Sequence, residues 1–125
     1  IMGTVRRTRA LLAQDHPGVA LIGFAGAPWT VGCYMIEGKG GGEFHHARRM
    51  MHADPALFGA ILAKLEEATV AYLLAQAEAG AEALMLFDSW AGQLPPAAFR
   101  DWVIAPAARI RAAVKARFPA LPMIG

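Results

Sequence analysis

The run Val19-Ala20-Leu21-Ile22-Gly23-Phe24, closed by Ala25-Gly26-Ala27-Pro28, decides how this 125-residue chain is read. It is apolar without alternation, too short for a buried helix, and bounded by turn residues. That combination predicts a β-strand over 19–24 covered on both faces, as strands of parallel sheets are. A second such run, Ala83 to Phe87, opens directly into Asp88-Ser89-Trp90, and a third begins at Leu121.

Between these runs the spacing turns helical. Residues 3–14 mix basic and apolar positions, with Val5, Ala10, Leu11 and Leu12 predicted as the buried side, and His16-Pro17-Gly18 ends that helix. A short helix is expected over 30–36, then a glycine cluster at Gly38, Gly40, Gly41 and Gly42, then a helix over 43–52. Asp54-Pro55 is a strong helix start, because Asp accepts from exposed N–H groups and Pro suits the first helical position. That helix is predicted to reach Ala79, with Leu57, Ile61, Leu65, Ala68, Tyr72 and Ala79 inward, and to stop at Gly80. Pro95-Pro96 opens a last helix to Phe118, kinked at Pro106.

The order α, β, α, α, β, α, β predicts an α/β fold on a parallel sheet. Two architectures fit, an open doubly wound sheet and a (β/α)8 barrel, and in both the ligand meets the C-terminal strand ends. Two β/α units and the start of a further strand do not close a barrel. Ile1 opens in what reads as a helix under way, and Leu121–Gly125 reads as half a strand. Residues 1–125 are therefore expected to be a fragment of one longer domain.

Composition narrows the function. A chain that is 56% hydrophobic and 18% charged has the apolar material for a core. Its mean hydropathy of +0.35 raises the question of a membrane. Yet the longest apolar stretch, Val19 to Trp29, is interrupted by Gly23, Gly26 and Pro28, far short of the roughly 20 residues a spanning helix needs. The net charge of +2 comes from the first 16 residues, where Arg6, Arg7 and Arg9 outnumber Asp15. No sustained basic face offers itself to nucleic acid. The single cysteine, Cys33, excludes an internal disulfide and fits a reducing cytoplasm. The basic start leads into Gln14-Asp15-His16 rather than the long apolar core of a signal peptide.

Few residues carry chemistry. The glycine cluster lacks the spacing of a phosphate loop and reads as a mobile connector. His45, His46 and His52 have no metal-binding spacing, since adjacent helical positions point about 100° apart. No metal or cofactor is expected. Asp88 and Ser89, at a strand mouth, either orient a polar substrate or cap and pack the next turn. Tyr34 falls after the first strand, at the same mouth by topology, where a phenol either donates to a carboxylate or packs.

The residues themselves go further. Gly23-Phe24-Ala25-Gly26-Ala27-Pro28-Trp29-Thr30 with Tyr34-Met35-Ile36-Glu37-Gly38 closely resembles a signature of the uroporphyrinogen decarboxylase family. Ala79-Gly80-Ala81-Glu82-Ala83-Leu84-Met85-Leu86-Phe87-Asp88-Ser89-Trp90-Ala91-Gly92 is similar to a second block of that family. Met50 to Pro55 and Leu121 to Ile124 fit in the right order, so the resemblance covers nearly the whole chain. It implies a partial TIM-type barrel, a homodimer when complete, no metal or organic cofactor, and a tetrapyrrole substrate. The implied reaction removes the carboxyl groups of the four acetate side chains of uroporphyrinogen III, giving coproporphyrinogen III for porphyrin and haem biosynthesis. Carried over by residue, Tyr34 matches the family's active-site tyrosine, Ser89 a position that hydrogen-bonds a substrate propionate, and Phe24 a pocket phenylalanine.

The same resemblance places the family's arginine-rich segment and essential aspartate before residue 1, and its active-site histidine after Gly125. Arg6, Arg7 and Arg9 belong to a crossover helix instead. The isolated chain is accordingly expected to be inactive. Two alternatives are a related corrinoid or thiol methyltransferase and a non-catalytic tetrapyrrole-binding module. The former binds zinc through His and Cys near later strands, which this chain does not contain.

Overall fold

A computed structural model describes all residues from Ile1 to Gly125. In chain order the elements are α1 (Met2–Asp15), β1 (Ile22–Gly26), α2 (Pro28–Glu37), α3 (His45–Ala53), α4 (Pro55–Glu78) and β2 (Ala83–Phe87). A single 3-10 turn at Ala91–Gln93 then leads to α5 (Pro96–Phe99), a wider π-helical turn (Arg100–Ile104), α6 (Ala105–Arg117) and β3 (Met123–Ile124). The wide turn directly precedes Pro106, whose ring leaves the helix without one N–H and crowds the preceding turn. No helix is long and apolar enough to cross a membrane.

The three strands pair in parallel and lie side by side in chain order, with Phe24 opposite Met85 and Leu84 opposite Met123. The fold is thus α/β on a parallel sheet, as the alternation of elements predicts. Alternate strand residues face opposite ways. Gly23, Ala25, Leu84 and Leu86 are buried, the last three in a cluster with Leu73 of α4 and Ile110 and Val114 of α6. Gly23 is required there, because a Cβ would sit 2.8 Å from Gln76 Oε1 and 3.0 Å from Leu84 Cδ2.

The other face of the sheet is open. Ile22, Phe24 and Ile124 are 47%, 55% and 50% exposed. This corrects the expectation of strands covered on both faces. An uninterrupted apolar run reports that both faces are apolar; whether both are covered depends on a second layer. β1 also starts three residues later than predicted, where Ile22 first finds Ala83 as a partner, and Val19 is left exposed.

Two helices turn differently from their predicted faces. The inward side of α4 is Phe58, Leu62, Thr69, Leu73 and Gln76, while Leu57, Ala68 and Tyr72 are exposed. The helix is apolar nearly all round, so spacing alone does not select a face. The chosen one includes Gln76, whose amide brackets Phe24 of β1. Its Oε1 accepts from Phe24 N at 3.0 Å and its Nε2 donates to Phe24 O at 2.9 Å. In α1 no residue is fully buried, and Ala10 and Leu11 face solvent. Arg9 ties α1 down instead, pairing with Glu82 at 3.1 Å, and Glu82 also accepts from Leu21 N.

A second cluster, Trp29, Cys33, Phe44, Ala47, Met51, Phe58 and Leu62, joins α2, α3 and the start of α4 beside the strand ends. As Asp54-Pro55 predicts, α4 starts there, with Leu57 N donating to Asp54 Oδ1 at 3.0 Å.

Candidate active site

β2 ends at Phe87, and the next three residues organise the edge where β1 and β2 terminate. The start of α2 needs an acceptor, because its N-cap is Ala27, which has no polar side chain. Asp88 supplies one from across the sheet. Its Oδ1 accepts from Thr30 N at 3.2 Å and from the Thr30 hydroxyl. Asp88 is therefore a cap, but for the helix after β1 rather than for its own turn. Burial pushes its carboxyl up, against the two Thr30 bonds that favour the ionised form. The second oxygen, Oδ2, is buried without a hydrogen-bond partner.

Trp90 comes next and is held at four points. Its N–H donates to Thr30 Oγ1 at 3.3 Å, and its carbonyl accepts from Trp29 Nε1 at 3.3 Å. Its ring meets Phe44 edge-on, centroids 5.1 Å apart at 66°. Its indole Nε1 donates to Tyr34 Oη at 2.6 Å. Tyr34 stands on the second turn of α2, half-exposed, with its ring centroid 6.1 Å from that of Phe44.

Of the three residues singled out in the sequence, Tyr34 and Ser89 lie where β1 and β2 end, whereas Phe24 sits mid-strand, because β1 runs on to Gly26. Phe24 lies on the open face of β1 with its ring 5.9 Å from that of Phe87. Ser89 is exposed two residues beyond Phe87, and its neighbour Trp90 holds Tyr34. Thr30 and Trp90 received no role from spacing, although both sit inside the quoted motifs. Their only signal was polar or aromatic character directly after a strand.

The neighbouring ionisable groups are structural. Burial first, then the negative charges of Asp88 and Glu37, push the Cys33 thiol up to about 12 against Arg48, so it stays protonated at neutral pH. Glu37 caps α3, accepting from His46 N at 2.7 Å and Ala47 N at 3.0 Å. Desolvation raises its carboxyl, but those two N–H groups and the nearby histidines outweigh it and hold it below the usual range. His45, His46 and His52 are exposed on α3, and no three His, Cys, Asp or Glu side chains converge as a metal ion requires. The glycine segment crosses between α2 and α3 with Gly38, Gly41 and Gly42 at positive φ.

This edge can be set against known proteins. A family model described as "Uroporphyrinogen decarboxylase (URO-D)" matches residues 1–125, the whole chain. This chain belongs to the uroporphyrinogen decarboxylase family. Among relatives, the uroporphyrinogen decarboxylase of Granulibacter bethesdensis is 57% identical over 125 residues, covering 100% of this chain and 36% of the relative. That of Gluconacetobacter diazotrophicus is 51% identical over 132 residues, covering 100% and 37%. The one from Novosphingobium aromaticivorans is 51% identical over 113 residues, covering 90% and 33%. The chain spans about a third of the length of these decarboxylases.

Proposed function

We propose that this chain works as part of an enzyme that decarboxylates the four acetate side chains of uroporphyrinogen III to give coproporphyrinogen III, without metal or organic cofactor. Membership of the family over the whole chain carries the reading. The position of Tyr34 and Ser89 after the ends of β1 and β2, with Phe24 on the open face of β1, supports it. In the proposed architecture the sheet is a sector of a (β/α)8 barrel. Parallel strands in chain order, helices on one face and an apolar open face all agree with that, since a barrel packs its interior with such side chains. The enzyme acts as a homodimer, as the resemblance implies, in the reducing cytoplasm that the single Cys33 fits.

Each turnover converts a ring acetate and one proton into a ring methyl and carbon dioxide. The pyrrole is its own electron sink. Protonation of the ring carbon next to the acetate makes the ring cationic, the carboxylate leaves as carbon dioxide with its electron pair entering the ring, and a second proton quenches the methylene carbon. Loss of the ring proton restores the pyrrole. The protein's share is to hold the macrocycle and favour charge where it develops. Tyr34 donates a hydrogen bond to a substrate carboxylate, Ser89 hydrogen-bonds a propionate, and the Phe24 ring lines the pocket near the aspartate that the resemblance places before residue 1.

The test exchanges residues 1–125 for the aligned segment of the Granulibacter bethesdensis decarboxylase and follows anaerobic turnover of uroporphyrinogen III. Coproporphyrinogen is the expected product. Tyr34→Phe and Ser89→Ala should lower kcat/KM by about 10-fold or more, the effect of losing a hydrogen bond to a charged group. A folded exchange protein that releases no carbon dioxide would overturn the proposal.

A further inference from the structure

We propose that Trp90 is a positioning residue for Tyr34: its indole N–H fixes the phenol and leaves the Tyr34 proton free for the substrate. The inference rests on the reading above, in which Tyr34 touches a substrate carboxylate. It starts from donor and acceptor counts. An indole Nε1 only donates, so in the 2.6 Å contact the Tyr34 oxygen must accept. A phenol carries one proton, and with the oxygen engaged as acceptor that proton is directed to another partner. Tyr34 is therefore set as a donor toward the half-exposed side it presents.

The direction is enforced by what holds Trp90. The Thr30 hydroxyl donates to Asp88 Oδ1, which leaves its lone pairs to accept from Trp90 N. Trp29 Nε1 donates to Trp90 O, and Phe44 meets the Trp90 ring edge-on. The backbone N–H of Trp90 is taken by Thr30, whose own proton goes to Asp88, so the group that Trp90 offers the phenol is its indole N–H. Asp88 and Thr30, which belong to different strand ends, thereby set the geometry of a side chain neither of them touches. Phe44 packs on Tyr34 as well as on Trp90, so the two hydrogen-bonded side chains share one buried aromatic neighbour.

The experiment uses the same segment-exchanged full-length enzyme with Trp90→Phe, Tyr34→Phe and the double variant. Trp90→Phe keeps a ring against Phe44 and removes the N–H. It should lower kcat/KM by about 5- to 10-fold, the effect of one hydrogen bond. Added to Tyr34→Phe it should lower it by no more than about 2-fold further, because the partner is already gone. A Trp90→Phe loss that persists in full on the Tyr34→Phe background would overturn the inference, since Trp90 would then be acting through something other than the phenol. Trp102→Phe removes an indole that packs on Phe58, away from Tyr34, and should leave kcat/KM unchanged.

A second readout is independent of activity. With 15N-tryptophan labelling, the indole proton resonance that Trp90→Phe abolishes should move upfield in Tyr34→Phe. A resonance that stays in place would overturn the inference even in an active enzyme. If the exchange enzyme binds or turns over no uroporphyrinogen, the functional reading fails, while the resonance still decides whether Trp90 bonds Tyr34.

Discussion

The two faces of the sheet are equally apolar and have opposite fates. Leu84 and Met85 are neighbours in β2, yet Leu84 is wholly buried under α4 and α6 while Met85 lies on the open side and is only partly covered. Hydrophobicity supplied both faces with the means to be buried. What separates them is the layer of helices, and that layer rests on one side only. The comparison teaches that a strand's composition sets how much it can bury, and its neighbours set how much it does.

The largest effect that tests this comparison comes from truncating each neighbour in turn. Leu84→Ala should cost about 2–5 kcal/mol in urea unfolding of the 125-residue chain, because a filled site is emptied. Met85→Ala should cost about 1 kcal/mol, in proportion to the smaller area it removes from water. Equal costs would break the comparison. In the segment-exchanged enzyme the Met85→Ala cost should rise toward that of Leu84→Ala if the proposed barrel covers the open face.

Next is the polar contact that joins the covered side to the strand edge. Gln76→Leu keeps the volume against Gly23 but leaves the N–H and C=O of Phe24 without their partner. A loss of about 1–3 kcal/mol is expected, that of stranding buried polar groups. An unchanged urea midpoint would show that β1 does not depend on the amide.

The smallest effect lies at the rim and depends on pH. Burial lifts Asp88 above the ordinary value of 3.8, so the folded chain binds this proton more tightly than the unfolded one. That contribution is fully present below 3.8 and is lost as pH rises through the raised value. Asp88→Asn mimics the protonated form and can still accept from Thr30. From pH 3.8 upward the melting temperature of the parent chain should therefore fall relative to Asp88→Asn. A difference that does not vary with pH would remove the burial effect.

Local features were readable and long-range ones were not. Ala83–Phe87 is found at its predicted bounds, and Asp54 caps the helix it precedes, because both depend on adjacent residues. The caps from Asp88 and Glu37 were hidden, their partners lying 58 and up to 10 residues away. The inward side of α4 was hidden for a related reason. The helix is apolar nearly all round, and the face it buries includes a glutamine that brackets a strand residue 52 positions distant. At the site, Tyr34 and Ser89 follow strand ends as their order in the chain predicts, while Phe24 falls mid-strand because β1 extends to Gly26. The bond from Trp90 to Tyr34, 56 residues apart, required the fold itself.

The glutamine bracket on Phe24 also orders events in time. During synthesis at about 5–20 residues per second, the 52 residues separating Phe24 from Gln76 take roughly 3–10 s to emerge. A helix forms within microseconds of its residues being available. Gln76 precedes Ala83 in the chain, so α4 is in place to grip β1 before all of β2 has been made. A nascent strand with free pairing groups is a template for the wrong partner. Here a helix reaches those groups first, and the growing chain is chaperoned by its own side chain.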